Sequence, residues 1–545
     1  MKPESHLFAD IPLSDGKSFK DYLIYDGMYY WWYNELAIIV DLNLSDYRGL
    51  NKLKSIQLLI TKYCRFLLCL IDIVIYIAFL VINRISKHQF PVDNHSDKIL
   101  IQFKNDSIRW KYIYDEKSMK FNINSTDYTE IIHRLSDKYY PEIIFDDLPI
   151  PTTINHYLKV ALHYSGPLNT LMRHWSLNIW RKEKASIDYF KDVYEKLIDD
   201  TQWLIECSKL TGLSVSQFKK KLEYHCLCSF PLCVRHYELM KYSVRNNRPD
   251  LFFLTCENAY LGRGWTYIAH ESHIPIIALQ HGLFPPDNLA YTTHSINDIE
   301  LKNNMAYPIP DMTLVWGKYD YDVLTINAGY PKEKVKIVGN PNYDRLVNLP
   351  SHYSRDTFCQ KYGIDSTKKL ILWASQSHGF EVEINKRYAS SIFKTISELD
   401  DVILIIKPHP WENEKHKNLM KEELKKYNII VYFMSTDSDT TEAIYISDLV
   451  IIQNSTVGQE VIALDKPLIC LDYSTTPDPV NYAKDGVAEG VYNPKDLKNT
   501  IVSLLNDDTQ QKLARNAYIS KYLYKMDGKA AERCISVIES MTKIK

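Results

Sequence analysis

The residues best suited to chemistry follow a short apolar run near position 400. Residues 402–406 read VILII, and the next four are Lys407-Pro408-His409-Pro410. Two prolines fix φ and prevent both strand pairing and helix entry, so they hold the neighbouring side chains in place. A cation beside an imidazole can stabilise the negative charge that builds on a leaving phosphate. A strand-end turn with a structural histidine explains the same residues, and the pattern alone leaves both interpretations open.

A second phosphate candidate lies in IIQNSTVGQEVIALDKP, residues 451–467. A strand ends at Asn454, and Ser455 or Thr456 can cap the helix that follows. The exposed N–H groups and the dipole of a helix start suit a phosphate. Glu460 falls one turn inside this helix, where a carboxylate can accept from two ribose hydroxyls. An ordinary capped helix start is the structural alternative.

Other polar groups follow further apolar runs. Gln280-His281-Gly282 ends one run, and its glycine permits a sharp turn and a close backbone approach. Asn340 and Glu257 follow two more runs. Taken alone, His281 is explained as well by structure as by function.

The apolar runs themselves predict how these groups are positioned. One series comprises residues 98–103, 142–147, 250–257, 274–282, 312–317 and 334–340, and a second begins near 368 and reads KKLILWASQ, DVILIIKPHP, NIIVYFM, DLVIIQNS and PLICLDY. Short apolar strands that alternate with helices predict parallel sheets covered on both faces. Two series predict an α/β fold with two Rossmann-like domains facing across a cleft. Ligands bind at the carboxyl ends of such strands, where Gln376 and Ser377 also lie.

The domain prediction comprises four parts, one of which contains an insertion. They are an aromatic-rich segment (1–50), a hydrophobic segment (51–90), an N-terminal, acceptor-side Rossmann-like domain (97–345) with a helical insertion at about 150–245, and a C-terminal nucleotide-donor domain (366–545). Residues 66–82 read FLLCLIDIVIYIAFLVI, with Asp72 as the single charge. Because a span needs roughly 20 apolar residues, with a lower limit near 17, a buried helix, a membrane-surface helix and a span all remain open. Pairing with residues 53–63 favours the membrane surface.

Composition and missing motifs exclude several function classes. The formal net charge is −2 and no long one-sign tail exists, so we expect no nucleic-acid partner. The ten cysteines lack a C-x-x-C pair and are expected to be reduced and buried, which fits a cytoplasmic protein. No G-x-G-x-x-G, Walker or H-E-x-x-H motif is present, and the D-S-D at 437–439 lies in a polar loop. We expect neither a cofactor nor a metal.

As an ordered set, the strand-end motifs resemble a known family. The set is QHG (280–282), VWG (315–317), VGNPNYD (338–344), LWASQS (372–377), KPHP (407–410) and SDLVIIQNSTVGQEVIALDKP (447–467). It is similar to GT-B surface-polysaccharide glycosyltransferases, above all the capsule Kdo-transferase and polysialyltransferase-like group. CDP-glycerol glycerophosphotransferases and UDP-GlcNAc 2-epimerases share the broader architecture. The resemblance covers roughly 250–500.

The resemblance implies residue roles at the matching positions. His409, Ser455 and Thr456 would contact the donor phosphate, and Glu460 the ribose. We place Lys407, Gln376, Ser377 and Asn454 with them on the donor side, and Gln280, His281, Gly282 and Asn340 on the acceptor side. The general base would come from the N-terminal domain, where Glu257, Asp26 and Asp287 are candidates. We favour Glu257 because it ends a strand that faces the cleft.

The resemblance implies a metal-independent glycosyltransferase in polysaccharide biosynthesis. It would move a sugar from a nucleotide-sugar donor to a lipid-linked or surface glycan acceptor. Residues 53–87 would bring it to the inner face of the cell membrane. The alternatives are a UDP-sugar 2-epimerase, a CDP-polyol phosphotransferase and a non-catalytic GT-B scaffold. Against the phosphotransferase, those enzymes usually carry D-Y-S-S where this chain has Q-N-S-T. The oligomeric state stays open.

Overall fold

The structure is a computed structural model. It describes residues 5–32, 48–63, 98–103, 111–115, 120–124, 140–145, 171–255, 260–282, 306–347, 353–376, 382–409, 414–435, 438–453, 455–473 and 482–542, together with single or paired positions between them.

The N-terminal segment and the helical insertion share one aromatic core. Phe8, Phe19 and Trp31 pack against Trp203 and Phe230 of the insertion. The elements of this part are the hairpin strands β1 (Ile24–Tyr25) and β2 (Met28–Tyr29), and the helices α1 (Arg48–Tyr63), α2 (Leu177–Asp199), α3 (Thr201–Thr211), α4 (Val215–Tyr224) and α5 (Phe230–Asn247). The helix-rich prediction for 150–245 therefore holds over its described residues.

The first sheet has six strands, all parallel, in the order β10-β9-β8-β7-β3-β6. Its strands are β3 (Lys98–Phe103), β6 (Tyr140–Phe145), β7 (Leu251–Leu254), β8 (Ile276–Leu279), β9 (Met312–Val315) and β10 (Val335–Ile337), and a separate antiparallel hairpin, β4 (Lys111–Asp115) and β5 (Lys120–Asn124), lies between β3 and β6 in the chain. Helix α6 (Tyr260–Glu271) connects β7 to β8, and α7 (Lys318–Asp322) follows β9. In β7, Phe252 and Leu254 face the aromatic core while Leu251 and Phe253 face the other side.

The second sheet also has six parallel strands, in the order β13-β12-β11-β14-β15-β16. They are β11 (Lys369–Ala374), β12 (Val402–Lys407), β13 (Val431–Phe433), β14 (Leu449–Ile452), β15 (Leu468–Leu471) and β16 (Glu489–Val491). Counted from β11, this is the strand order 3-2-1-4-5-6 of the Rossmann fold, so the order in which successive strands are added reverses between β11 and β14. A ligand crevice is expected outside the carboxyl ends of these two strands.

Helices cover both faces of the second sheet. They are α8 (Asp344–Val347), α9 (Arg355–Tyr362), α10 (Val382–Ser397), α11 (Glu414–Leu424), α12 (Thr440–Ile446), α13 (Val457–Ala463), α14 (Leu497–Asn506), α15 (Thr509–Tyr518) and α16 (Ala530–Thr542). The last helix differs from the others, because Ala531, Cys534 and Ile538 of α16 pack into the core of the first sheet. The end of the chain thus returns to the first half of the molecule, which no local sequence pattern indicated.

These elements confirm the predicted α/β fold class with two parallel sheets. Among the predicted strands, 98–103 has the bounds found, the strand predicted at 142–147 lies two residues earlier, and the others are shorter than predicted. The seven described cysteines are reduced and buried, as predicted. Residues 66–82 lie outside the described residues apart from one position, and no described helix is long and apolar enough to cross a membrane.

Candidate active site

The His-Pro turn lies at the carboxyl end of β12 and is closed by a glutamate. The backbone N–H of Glu412 donates to the carbonyl of His409 at 2.8 Å, which makes a turn of four residues. The Glu412 carboxylate accepts from the His409 N–H at 3.3 Å and from the Ser375 hydroxyl at 2.8 Å. Glu412 was not among the sequence candidates, because an acid three residues past a His-Pro pair resembles a solvated helix start.

Lys407 is the last residue of β12 and is almost fully buried. Its ammonium donates to the carbonyl of Pro408 at 3.2 Å, so the cation is held within the turn. Gln376 follows β11 and lines a small cavity with Ser375 and Glu412. Lys407, His409 and Gln376 therefore lie at adjacent strand ends of one sheet edge, as the sequence predicted, although none of their ligand-binding roles is tested by this placement.

The start of α13 agrees with the predicted cap. The helix begins at Val457, and the Ser455 hydroxyl accepts from its backbone N–H at 3.3 Å. Thr456 makes no side-chain cap, so Ser455 is the capping residue of the two. A Cβ at Gly458 would lie 2.5 Å from the ring of buried Tyr482, whose hydroxyl donates to the Ser455 carbonyl. The absence of a side chain at Gly458 thus allows the Tyr482 ring to pack against the start of α13.

Glu460 projects from the same short helix toward the segment that links the two sheets. Its Oε2 accepts from the Thr441 hydroxyl at 3.0 Å and pairs with the Arg345 guanidinium at 3.3 Å. One residue earlier, the hydroxyl of Tyr343 donates to Gln459 at 3.2 Å. The acid predicted to bind ribose is therefore oriented from both sides, and Arg345 is a further cation at this position that the sequence analysis did not identify.

On the first sheet, Gln280 ties two strand ends together. Its side chain accepts from the Trp316 N–H at 2.7 Å and donates to the Gly282 carbonyl at 2.8 Å. His281, which lies between Gln280 and Gly282 in the chain, is exposed after the end of β8. The φ of Gly282 is not in the left-handed region and an added Cβ would meet no described atom within 4 Å, so the close backbone approach expected there stays a prediction. Asn340 caps the turn after β10 by accepting from the Asn342 N–H at 3.1 Å.

Two buried carboxyl groups flank the Gln280 loop. Glu257 follows β7, and its Oε1 accepts from the Tyr291 hydroxyl at 2.9 Å while Oε2 has no hydrogen-bond partner among the described residues. Burial raises the pKa of Glu257 to about 7, against the smaller effect of the Tyr291 bond. Asp320, in α7, is fully buried, and its pKa is raised to about 7 by burial, which outweighs the Gln280 amide and backbone N–H groups that face it. The sequence analysis missed Asp320 because KYDYD resembles an exposed helix.

Of the other candidate bases, Asp26 is unsuited. Asp26 and Gly27 both have positive φ and form the turn between β1 and β2. The Asp26 carboxylate is exposed and pairs with Lys182 at 3.3 Å. Asp287 lies outside the described residues, as do Ser377 and Asn454.

The two halves of the molecule meet close to these residues. A Cβ at Gly317, after β9, would lie 2.5 Å from the backbone carbon and oxygen of Tyr522. The rings of Tyr319 and Tyr522 lie 4.8 Å apart, and Asp344 accepts from the first two N–H groups of α16 at 2.9 and 2.8 Å. The contact is therefore backbone against backbone, with no space for a side chain at Gly317.

Metal ligation has no candidate within the described part of the chain. No group of three or more His, Cys, Asp or Glu side chains there is arranged to hold a metal ion. The proposed lack of a metal requirement stays a prediction.

Comparison with known proteins decides the family. A family model described as CDP-glycerol:poly(glycerophosphate) glycerophosphotransferase matches residues 238–540, more than half of the chain. The protein belongs to this family. The members of this family are transferases. The matched region contains all the site residues named above except those that precede residue 238. Kinship with the Kdo-transferase group stays a prediction. No curated protein matches the chain.

Several solved structures are similar to this family member. UDP-GlcNAc 2-epimerase from Neisseria meningitidis bound to UDP-GlcNAc is 12% identical, with a TM-score of 0.50 over 81% of this chain and 100% of the other. A putative UDP-GlcNAc 2-epimerase from Listeria monocytogenes has the same identity and TM-score over 82% and 97%. The wall teichoic acid polymerase TagF is 13% identical, with a TM-score of 0.43 over 91% and 99%. Together with the two parallel sheets, the first two establish the GT-B fold.

Proposed function

We propose that the protein transfers a polyol phosphate from a CDP-linked donor to a hydroxyl group of a lipid-linked or surface glycan. The observation that carries the proposal is the His-Pro turn, which holds Lys407 and His409 at the crevice of the second sheet in a member of the glycerophosphotransferase family. A fixed cation and a fixed imidazole at a developing negative charge need no reorganisation during the reaction. Ser455 and Glu460 would bind the remaining phosphate and the ribose.

The reaction balances without a further reactant. The acceptor hydroxyl oxygen attacks the phosphorus that bears the polyol, the bond from that phosphorus to the bridging oxygen of the nucleotide breaks, and CMP leaves. The hydroxyl proton passes to a base, for which we retain Glu257. A pKa near 7 suits a group that must accept a proton at neutral pH. His409 and Lys407 would stabilise the departing CMP.

Sugar transfer from a nucleotide sugar is the second candidate. The observation that favours it is the sequence Gln453-Asn454-Ser455-Thr456 at the end of β14, where glycerophosphotransferases usually carry D-Y-S-S. In this reaction the bond between the sugar carbon and the phosphate oxygen breaks, so a UDP-sugar donor releases UDP rather than a nucleoside monophosphate.

The released nucleotide separates the two reactions. The purified protein is incubated with CDP-glycerol and with UDP-, GDP- and CMP-linked sugars, each with a glycan acceptor, and the nucleotide products are resolved by chromatography. Release of CMP from CDP-glycerol supports the proposal, and release of UDP, GDP or CMP from the corresponding nucleotide sugar supports the second candidate. Conversion of a UDP-sugar without acceptor indicates an epimerase. If no donor is turned over, and calorimetry detects no binding, the scaffold interpretation replaces all three.

We also propose that the protein binds the inner face of the cell membrane through residues 53–87. In the described part, α1 packs Leu58 on the helical insertion and exposes Ile56, Leu59 and Tyr63 along one face. An amphipathic helix with basic flanks binds anionic lipid surfaces. Flotation with vesicles of anionic phospholipid should recover the wild type but not Leu59→Glu. Leu513→Glu, an equally exposed leucine on α15, is the control, and equal flotation of both variants would contradict the proposal.

A further inference from the structure

The carboxylate of Glu412 joins two strand ends of the second sheet. Its Oε2 accepts both from Ser375, which follows β11, and from the backbone N–H of His409, which follows β12. Its own N–H donates to the His409 carbonyl. Both backbone polar groups of His409 are thereby bound to one residue, and that residue is bound to the neighbouring strand.

The burial of Glu412 indicates that its carboxylate is there to accept these hydrogen bonds. Its exposed fraction is 7%, whereas the side chain of Glu414, two residues later, is 76% exposed and pairs with Lys417. A carboxylate loses much of its hydration when it is buried, and only directed donors compensate for that loss. Hydrogen bonds to an ionised acceptor are stronger than those between neutral groups. Ser375 and His409 supply the donors here.

The same carboxylate lies beside the end of a third strand. Glu412 lines a cavity with Gln376, Asn385 and Gln453, the last of which follows β14. The Gln453 Oε1 is buried and has no hydrogen-bond partner among the described residues. Glu412 therefore lies beside the carboxyl ends of β12, β11 and β14, and the strand order of the sheet reverses between the last two.

We propose that Glu412 is a positioning residue, which fixes the turn of His409 against the end of β11 and so aims the imidazole at the donor phosphate. This inference rests on the proposed function for the identity of the donor. It assigns Glu412 no contact with the substrate. The carboxylate acts on the reaction only through His409.

The kinetic test uses two Glu412 variants and a matched control. Glu412→Ala should lower kcat about 100-fold with little change in the donor KM, because small displacements of a catalytic group have effects of that size. Glu412→Gln keeps an oxygen that can accept from both donors and should retain activity within about tenfold of wild type. Glu414→Ala should leave kcat and KM unchanged. A Glu412→Gln variant as impaired as Glu412→Ala would overturn the positioning role.

A double-mutant cycle separates positioning from general stabilisation. In a His409→Ala background, Glu412→Ala should lower kcat no further than about twofold, since its effect passes through the missing imidazole. A further loss of tenfold or more would overturn the inference. If Glu412→Ala does not fold, Ser375→Ala takes its place in the same double-mutant cycle, because it removes only one of the two donors to Glu412.

A spectroscopic measurement makes the inference independent of turnover. In histidine-labelled full-length protein, the His409 imidazole resonance is assigned by its loss in His409→Ala. It should shift and broaden in Glu412→Ala and stay unchanged in Glu414→Ala. An unchanged resonance in Glu412→Ala overturns the inference even if the donor is turned over. If no donor is turned over and the resonance still responds, the proposed function fails while the positioning of His409 stands.

Discussion

At the carboxyl edge of the first sheet two carboxyl groups are buried, whereas the same edge of the second sheet holds a cation, an imidazole and acids that accept from directed donors or pair with a cation. Burial raises the pKa of both Glu257 and Asp320 to about 7. On the second sheet, Glu412 accepts from two donors and Glu460 pairs with Arg345. Desolvation penalises the charged form of a carboxyl, which explains the raised pKa of the two acids on the first sheet.

This difference separates two tasks within one fold. The first edge holds groups that change protonation near neutral pH, which suits proton removal from an acceptor hydroxyl. The second edge holds charges in fixed positions, which suits the binding of a phosphate and the stabilisation of a leaving group. Removing one residue from each edge should therefore give variants that fail in different ways.

The largest effect is expected on the second edge. His409→Ala should lower kcat for donor turnover about 1,000-fold, because it removes a preorganised donor at the leaving phosphate, while the circular dichroism spectrum stays that of the wild type. The control is His273→Asn, which changes an exposed histidine of positive φ at the opposite edge of the first sheet. Near-normal turnover by His409→Ala would remove this residue from the mechanism.

The contact between the halves offers the next variant. Gly317→Ala places a Cβ 2.5 Å from the Tyr522 backbone, which cannot rotate away, so the halves must move apart. We expect a loss of about 3 kcal/mol or more in the free energy of unfolding, measured in urea. Gly282→Ala is the matched control for stability, because its Cβ meets no described atom, and it should change the free energy by less than about 0.5 kcal/mol. Equal stability of the two variants would show that the contact is not closely packed.

The buried Glu257 at the edge of the first sheet should make the free energy of unfolding depend on pH. The pKa of Glu257 is about 7 in the folded protein against an ordinary value of 4.5, so its neutral form contributes stability that is complete below pH 4.5 and is lost as the pH rises through 7. Glu257→Gln stays neutral, and its stability relative to wild type should rise by about 3 kcal/mol between pH 4.5 and pH 7 and then level off.

Urea unfolding at a series of pH values measures this difference, with the exposed Glu414→Gln as control. A difference between Glu257→Gln and wild type that stays constant across the range would mean that the carboxyl is ionised in the folded protein. In that case Glu257 would resemble the acids of the second edge, and the contrast between the edges would fail.

The smallest effect is expected from Arg345→Ala. The Arg345–Glu460 pair is partly exposed, with 41% of the arginine side chain accessible, and such pairs contribute at most about 1 kcal/mol. The donor KM should therefore rise no more than about fivefold, with kcat unchanged. The control is Lys361→Ala, which removes an exposed cation on α9. A large fall in kcat would give Arg345 a part in the chemistry.

Much of the fold could be predicted from local patterns. Runs such as KILIQF and VILIIK are apolar on both faces, as strands buried between helices must be, and the sheet edge that carries Lys407 and His409 followed from them. Strand β16 was missed because EGV is three residues long and contains glycine. The hairpin β1–β2 was missed because its strands are two residues long, and β4–β5 was missed although KFNIN alternates polar and apolar residues.

The remaining site residues depend on contacts between distant parts of the chain. Asp320 lies in a polar pentapeptide, and only its tertiary surroundings bury it. Glu412 needs Ser375, 37 residues earlier, to explain its burial. Periodicity reports which face of an element is apolar, but it does not report which distant polar group meets a given acid.

The packing of α16 on the first sheet has a consequence for the order of folding. The first sheet buries part of one face under α16, so during synthesis that part stays uncovered until residues 530–542 have been translated. Contacts that join such distant positions form slowly, because the long loop between them must close first. The second sheet has its helices nearby in the chain and can fold earlier. A ribosome that stalls before Ala530 would therefore carry an exposed apolar strand face, which is the kind of surface that chaperones recognise.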